Sequence, residues 1–266
     1  MPPSWRISSQ APVVANRGMI ARHTIEKGSL ILEEDALVTL YTGYGHRQWG
    51  QPINTFWADE RAGTTNRLQT AFNSLTATQR GHFNQLFRPG APATPLAELV
   101  DRFEHNALNY NGSSNMYLAV YRYISAINHS CFPNAKVDMW EGSRNHPVPQ
   151  GQARLVATRS IPAGEEIFLN YVNDLWLDNH TIRNNELQTH YHFTCTCTGC
   201  TVVGAAGGPA QLDAAERATA RIYSTTLLSP APALSGQALT THIDRLHTFI
   251  RMLSAWGKWD EDLSEA

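Results

Sequence analysis

Ile127-Asn-His-Ser-Cys-Phe-Pro-Asn134 is a polar stretch set directly behind the apolar run MYLAVYRYI at 116–124, and its reading decides what kind of chain this is. By themselves Asn128 and His129 are turn-capping residues, because short polar side chains at a strand end hydrogen-bond the nearby backbone. Cys131 has a wider meaning. The chain holds four cysteines, and the other three crowd into Phe193-Thr-Cys-Thr-Cys-Thr-Gly-Cys200. Tetrahedral zinc takes four soft or borderline ligands with sulfur at about 2.3 Å, and Cys-x-Cys-x-x-Cys supplies three of them from one tight loop. A fourth must come from elsewhere. Cys131 completes a set of Cys131, Cys195, Cys197 and Cys200 that uses every thiol in the chain; the alternatives are His190 or His192 in place of Cys131, or four free thiols. A closed four-sulfur shell leaves no position for substrate, so a zinc there is structural.

Working outward, β-branched and apolar runs lie on both sides of this stretch: MIARH, SLILEE and ALVTLY between Met19 and Tyr41, then KVDMW (136–140), ARLVAT (153–158) and EIFLNY (166–171), with turn residues between them. Tyr121 and Tyr123 are read as edge-strand residues, with the lining of a substrate channel as the alternative. From Tyr44 to His105 the text changes to helical spacing. Thr76-Ala-Thr-Gln79 is a capping box, and Thr94-Pro95 starts a helix whose apolar face runs Leu96, Leu99, Val100, Phe103, Ala107, Leu108. After the last cysteine, Gly204–Pro209 reads as a linker; Leu239, Ile243, Leu246, Ile250 and Leu253 then form a helical stripe whose expected role is packing, and the last eight residues are a polar tail. The expectation is therefore a mainly β fold with a helical insert.

Composition narrows the partners. Of 266 residues, 42% are apolar and 17% charged, an ordinary globular mixture rather than a disordered one. Lys+Arg 21 against Asp+Glu 23 gives a net charge of −2, which lacks the basic field that nonspecific nucleic-acid or anionic-membrane binding requires. No apolar run reaches the length of a membrane span, and the first residues lack the basic start and apolar core of a signal peptide. The glycosylation-like triplets at Asn111, Asn128 and Asn179 are read as chance matches.

Four weak signals become strong through their order. Arg17-Gly-Met-Ile-Ala21, Asn128-His-Ser-Cys-Phe-Pro-Asn134, Gly164-Glu-Glu-Ile-Phe-Leu-Asn-Tyr171 and Phe193-Thr-Cys-Thr-Cys-Thr-Gly-Cys200 occur in the order in which SET-domain protein lysine methyltransferases carry them. The chain resembles that family, most of all its SMYD-type branch and fungal relatives. The insert has no cysteines, so the zinc-binding MYND module that SMYD proteins carry there is missing. The resemblance implies several small curved β-sheets around a pseudoknot, in which the segment leading to Tyr171 lies beside Asn128-His-Ser. It divides the chain into a SET domain at 1–175 with its insert at about 44–105, a zinc-binding post-SET segment at 176–203, and a linker with C-terminal helices at 204–266.

The same resemblance assigns residues. Arg17, Gly18 and Met19 form a turn against the tail of S-adenosylmethionine, with Asn16 where the family's first glycine stands. Asn106 matches a cofactor-bonding asparagine, a helix-end asparagine being the alternative. Asn128 and His129 hold the amino-acid part and the adenine, and Phe193, helped by Tyr191, packs on the adenine. Tyr171 is the catalytic hydroxyl and also borders the cofactor. The zinc would fold the cysteine loop over the cofactor and fix Phe193. The implied reaction moves a methyl group from S-adenosylmethionine to a lysine amine of a protein or peptide, leaving S-adenosylhomocysteine. The implied setting is a nuclear or cytoplasmic monomer with no direct nucleic-acid or membrane partner. A catalytically silent SET-fold interaction module and a zinc-dependent nucleic-acid binder are the competing readings.

Overall fold

A computed structural model describes residues 3–9, 17–41, 65–88, 90, 94–111, 116–140, 151–172, 180–197, 200 and 236–255. Asn16, Asn179, the first part of the insert, the 204–209 linker, the polar tail and the expected boundaries after residues 175 and 203 lie outside them.

Among the described residues, three small sheets carry the β structure. The first has the order β1 (Trp5–Ser8), β2 (Gly18–Ala21), β10 (Glu166–Leu169), β7 (Asn128–His129). The second is β3 (Leu30–Asp35), β9 (Gln152–Ala157), β8 (Ala135–Trp140), and the third β4 (Val38–Tyr41), β6 (Met116–Val120), β5 (Leu108–Asn111). Within the first sheet β10 runs antiparallel to β2 but parallel to β7, with Phe168 opposite Asn128 and Leu169 opposite His129. That parallel pair sets the segment leading to Tyr171 beside Asn128-His129, as the pseudoknot requires.

Period-two burial decides which side of each strand faces inward. On β9 the buried residues are Ala153, Leu155 and Ala157, and they meet Met19, Tyr121, Ile124, Ile127, Ile161 and Ile167 in the main core. The helical insert contributes a helix through residues 65–74 (α1), α2 (Ala77–Asn84) and α3 (Pro95–Glu104). The capping box forms as expected: Gln79 N–H donates to Thr76 Oγ1 at 3.2 Å, and Thr76 N–H to Gln79 Oε1 at 2.9 Å. Thr94 caps α3 with Pro95 in its first turn. Leu68, Phe83, Leu99 and Phe103 then bury against Val38, Leu40, Leu118 and Val120 of the third sheet.

Three local expectations are corrected. The α3 pattern does not run on to Leu108, which starts β5 and pairs with Ala119, and Leu96 is exposed. The strand expected over 116–124 stops at Val120. Glu34 accepts the backbone N–H groups of Arg122, Tyr123 and Ile124 at 2.8 to 3.1 Å, so those amides leave the sheet and the chain turns into a 3₁₀ turn at Ile124–Ala126. Tyr121 is accordingly neither an edge-strand residue nor exposed to a channel: it is fully buried, and its hydroxyl donates to Gly151 O at 2.8 Å. The C-terminal stripe does lie on a helix, α5 (Gly236–Ala255), on which Leu239 and Ile243 are 42% and 41% exposed and Leu246 is half-buried, while the side chains of Ile250 and Leu253 lie outside the described residues. One helix went unanticipated: α4 (His180–Tyr191), whose buried residues are Arg183, Asn184 and Leu187.

Candidate active site

The first sheet brings three separated motifs into one layer. Asn128 Nδ2 donates to Arg17 O at 2.7 Å and to Glu166 Oε1 at 2.6 Å. Both amide hydrogens are thereby used on acceptors, which fixes the orientation of the amide and leaves Oδ1 as the acceptor it can offer a ligand. Gly18 is required here by contact. A Cβ on it would overlap Glu166 Oε1 and reach 2.9 Å from Asn128 Nδ2, so the missing side chain is what lets Glu166 lie against this backbone. Arg17 Nη1 donates to Gln85 O of the insert at 2.7 Å, while burial, and then the like charge of Arg122, hold its guanidinium below the ordinary arginine range.

Asn134 ties the loop after β7 to the same layer. It has no solvent exposure, its Nδ2 donates to Glu166 O at 2.8 Å and to Glu165 Oε1 at 3.0 Å, and its Oδ1 accepts Phe168 N–H at 2.7 Å. The turn in this loop is capped by Ser130, whose Oγ accepts Phe132 N–H at 3.1 Å, and not by Asn128 or His129. The side chains of Asn128 and His129 reach across chain instead.

Tyr171 sits at the end of this arrangement. Its hydroxyl donates to Ile127 O at 2.5 Å, and its ring centre lies 5.0 Å from Tyr191, 5.3 Å from His129 and 6.4 Å from Phe193. Burial, then the neighbouring Tyr191 and Glu166, push the phenol well above its ordinary value, so it is a neutral hydrogen-bond donor. His129 Nδ1 accepts Tyr171 N–H at 3.0 Å, which assigns the ring hydrogen to Nε2, and Nε2 faces Cys131 Sγ at 3.4 Å. Tyr191 and Phe193 flank this cluster because His192 between them adopts φ 59°, a left-handed conformation that costs a non-glycine residue about 1 kcal/mol or more. The His192 ring is 5.6 Å from His105, at the last turn of the insert.

All four cysteines come together, with their sulfurs within 4.8 Å of one another. Cys131 is 3.9 Å from Cys195 and 3.5 Å from Cys200; the edge of a zinc–sulfur tetrahedron is about 3.8 Å. The donor set, its burial and its spacing fit a closed divalent metal site. His190 pairs instead with Glu186 at 3.0 Å, and His192 faces His105, so the imidazole alternatives for the fourth ligand fall away. Cys195 N–H donates to Asn184 Oδ1 at 2.6 Å, and Asn184 Nδ2 faces Cys200 Sγ at 3.8 Å.

Asn106 is 5% exposed, and its Nδ2 donates to Arg102 O at 2.7 Å and Phe87 O at 2.8 Å. These are the contacts of an asparagine closing a helix. Tyr123 stacks near Trp5 at 4.9 Å, with Arg122 over its face at 4.5 Å. Sequence reading passed over Glu34, Asn134, Glu166, Arg183 and Asn184 as individual residues. Asn134 and Glu166 stood inside quoted motifs, whereas no local signal marks Arg183 or Asn184.

Three small sheets, a parallel pairing of β10 with β7 beside Tyr171, and a four-cysteine cluster fit the SET architecture. The chain matches the model of the SET domain over residues 16–172, more than half its length, and belongs to the SET-domain family. Similar proteins include the histone-lysine N-methyltransferase SET5 of Meyerozyma guilliermondii, 35% identical over 144 residues, which cover 52% of this chain and 28% of that protein. The SET domain and MYND-type zinc finger protein 6 of Schizosaccharomyces pombe is 26% identical over 158 residues, covering 59% and 27%. The N-lysine methyltransferase SMYD2 of Gallus gallus is 33% identical over 89 residues, covering 34% and 18%. This chain thus spans between about a fifth and just over a quarter of each of these relatives.

Proposed function

We propose that the chain is a protein-lysine N-methyltransferase that uses S-adenosylmethionine, with one structural zinc on Cys131, Cys195, Cys197 and Cys200. The observation that carries this reading is the pairing of a neutral, half-buried Tyr171 hydroxyl with an Asn128 amide whose hydrogens are both spent, in one layer of a SET domain. When bound, S-adenosylmethionine supplies an electrophilic methyl group. This chain's residues supply binding, orientation and exclusion of water. Asn128 Oδ1 is matched to a cationic amino group, and the Arg17–Met19 backbone, close-packed by Gly18, lies beside it. The ring faces of Phe193 and Tyr191 suit a flat heteroaromatic base, and His129 presents its backbone at the same edge. Asn106 has chiefly its side-chain Oδ1 to offer a cofactor, since its amide hydrogens and backbone N–H are donated to Phe87, Arg102 and Phe103 carbonyls and its own carbonyl accepts Ser125 Oγ.

Methyl transfer asks that an incoming lysine be neutral and in line. The aromatic cluster disfavours the ammonium form by desolvation. Tyr171, kept protonated and with its one hydrogen on Ile127 O, orients the reacting groups through the lone pairs of its oxygen rather than abstracting a proton. The acceptor is a lysine of a protein, histone or other, and the setting is the nucleus or the cytoplasm, in keeping with the histone-lysine and N-lysine methyltransferase names of the relatives. The SET domain at 1–175 would carry the chemistry, with the segments at 176–203 and 204–266 completing the cofactor and substrate sides.

Calorimetric titration of zinc-loaded protein with S-adenosylhomocysteine tests the reading. Saturable micromolar binding is expected, with Asn128→Ala abolishing it. Tyr171→Phe should bind normally but transfer methyl groups about 10²–10³-fold more slowly. Folded, zinc-replete protein that binds no S-adenosylhomocysteine would overturn the proposal and return the chain to the silent interaction module.

A further inference from the structure

Arg183 is the largest fully buried side chain among the described residues, at 1% exposure, and it lies outside every motif that marks the SET domain in this sequence. A charged group is not withdrawn from water without compensation. Its Nε–H donates to Cys131 Sγ at 3.3 Å and its Nη2 to Cys200 Sγ at 3.7 Å. The planar fork of a guanidinium therefore spans two corners of the sulfur cluster, which a lysine ammonium does not do. Four thiolates around a divalent ion carry a net charge of two minus, and one buried guanidinium in contact halves it.

Cys131 receives a second donor on its other side. His129 Nε2–H points to the same sulfur at 3.4 Å, and His129 Nδ1 accepts the backbone N–H of Tyr171 at 3.0 Å. A continuous run of polar contacts thus joins Arg183, Cys131, His129 and Tyr171. Each link has a defined donor and acceptor.

We propose that Arg183 is the counter-ion of the four-sulfur site, held on Cys131 and Cys200. The inference rests on the reading that these sulfurs hold zinc. Removing the guanidinium leaves an uncompensated buried charge at Cys131 and Cys200, which loosens the metal.

The test uses the full chain as wild type, Arg183→Gln and Arg183→Lys, with zinc(II) and cobalt(II) as probes. By competition with a chromophoric chelator, Arg183→Gln should bind zinc about 10- to 100-fold more weakly. Its cobalt(II) form should show shifted thiolate-to-metal charge-transfer bands. Arg183→Lys should recover part of the affinity but not the wild-type cobalt spectrum. In wild type loaded with NMR-active cadmium, a correlation between the metal and an arginine Nε–H should appear, a measurement that needs no variant to fold. Zinc affinity and cobalt spectra that match wild type in the variants, or no such correlation, would overturn the inference even if the variants are less stable. Wild type that takes up neither zinc nor cobalt would instead overturn the metal reading, and this inference with it.

Discussion

The helical insert and the cysteine loop both close around the small sheets, but their interiors are made of different material. Under α1–α3 the buried contacts are Leu68, Phe83, Leu99 and Phe103 against Val38, Leu40, Leu118 and Val120, with Phe72 and Phe83 edge to face at 5.2 Å. Beneath α4 the buried residues are Arg183, Asn184 and Leu187 on four sulfurs. The first interior is held by area removed from water, a force spread over many side chains and indifferent to exact direction. The second is held by directed bonds between groups that are costly to bury alone, so losing one partner strands the others. The insert should therefore fail gradually, and the cysteine loop all at once.

The most direct way to break this contrast is to strip the metal or install Cys197→Ser. S-adenosylhomocysteine binding should fall more than about 100-fold, because a loop that positions Phe193 loses its anchor, while far-UV circular dichroism keeps the α1–α3 signal. Unchanged binding after chelation would show that the loop is held by packing after all. On the other side, Phe103→Ala should lower stability by about 3–5 kcal/mol in urea unfolding, with zinc content unchanged. A drop in zinc stoichiometry there would mean that the two interiors are one cooperative unit.

Smaller changes sharpen the comparison at the sheet between the two. Gly18→Ala should displace Glu166 and the Asn128 amide, costing about 1–3 kcal/mol in stability and weakening S-adenosylhomocysteine binding by about tenfold or more. Normal affinity would mean that the Gly18 contact with Glu166 is relieved by a harmless side-chain shift. Thr76→Ala removes the α2 cap and should cost about 1 kcal/mol, with cofactor and zinc binding untouched.

Tyr171 adds a pH dependence. Its folded-state phenol lies above the unfolded value of about 10. Its contribution is therefore complete below about pH 10 and is lost as pH rises through the folded value. Thermal melts across the alkaline range should show a falling limb in wild type that is flatter in Tyr171→Phe. Identical profiles would place the phenol in contact with bulk water.

Legibility followed the reach of each interaction. The capping box at Thr76–Gln79 and the start of α3 at Thr94-Pro95 were readable because donor, acceptor and fixed φ lie within one turn of chain. The end of β6 was not, since the carboxylate that captures the amides of Arg122–Ile124 comes from Glu34, far away in sequence. Leu108 fitted a helical stripe by spacing alone, yet the helix stops where Asn106 folds back on Arg102 O and the chain pairs with Ala119. Helix α4 escaped notice because two of its three inward residues are Arg and Asn, and an apolar-stripe search counts those as solvent-facing.

By itself the sequence determined the class of this protein, because that rests on residue types whose chemistry has few substitutes and whose order along the chain is visible; it left Cys131 or an imidazole open as the companion of Cys195, Cys197 and Cys200. Only the tertiary structure decided what surrounds them: that Glu166 is the reason for Gly18, that His129 hands Tyr171 to Cys131, and that a buried arginine faces the sulfurs. Those contacts join residues many positions apart, and their energies depend on burial and direction, two properties that a linear string does not carry.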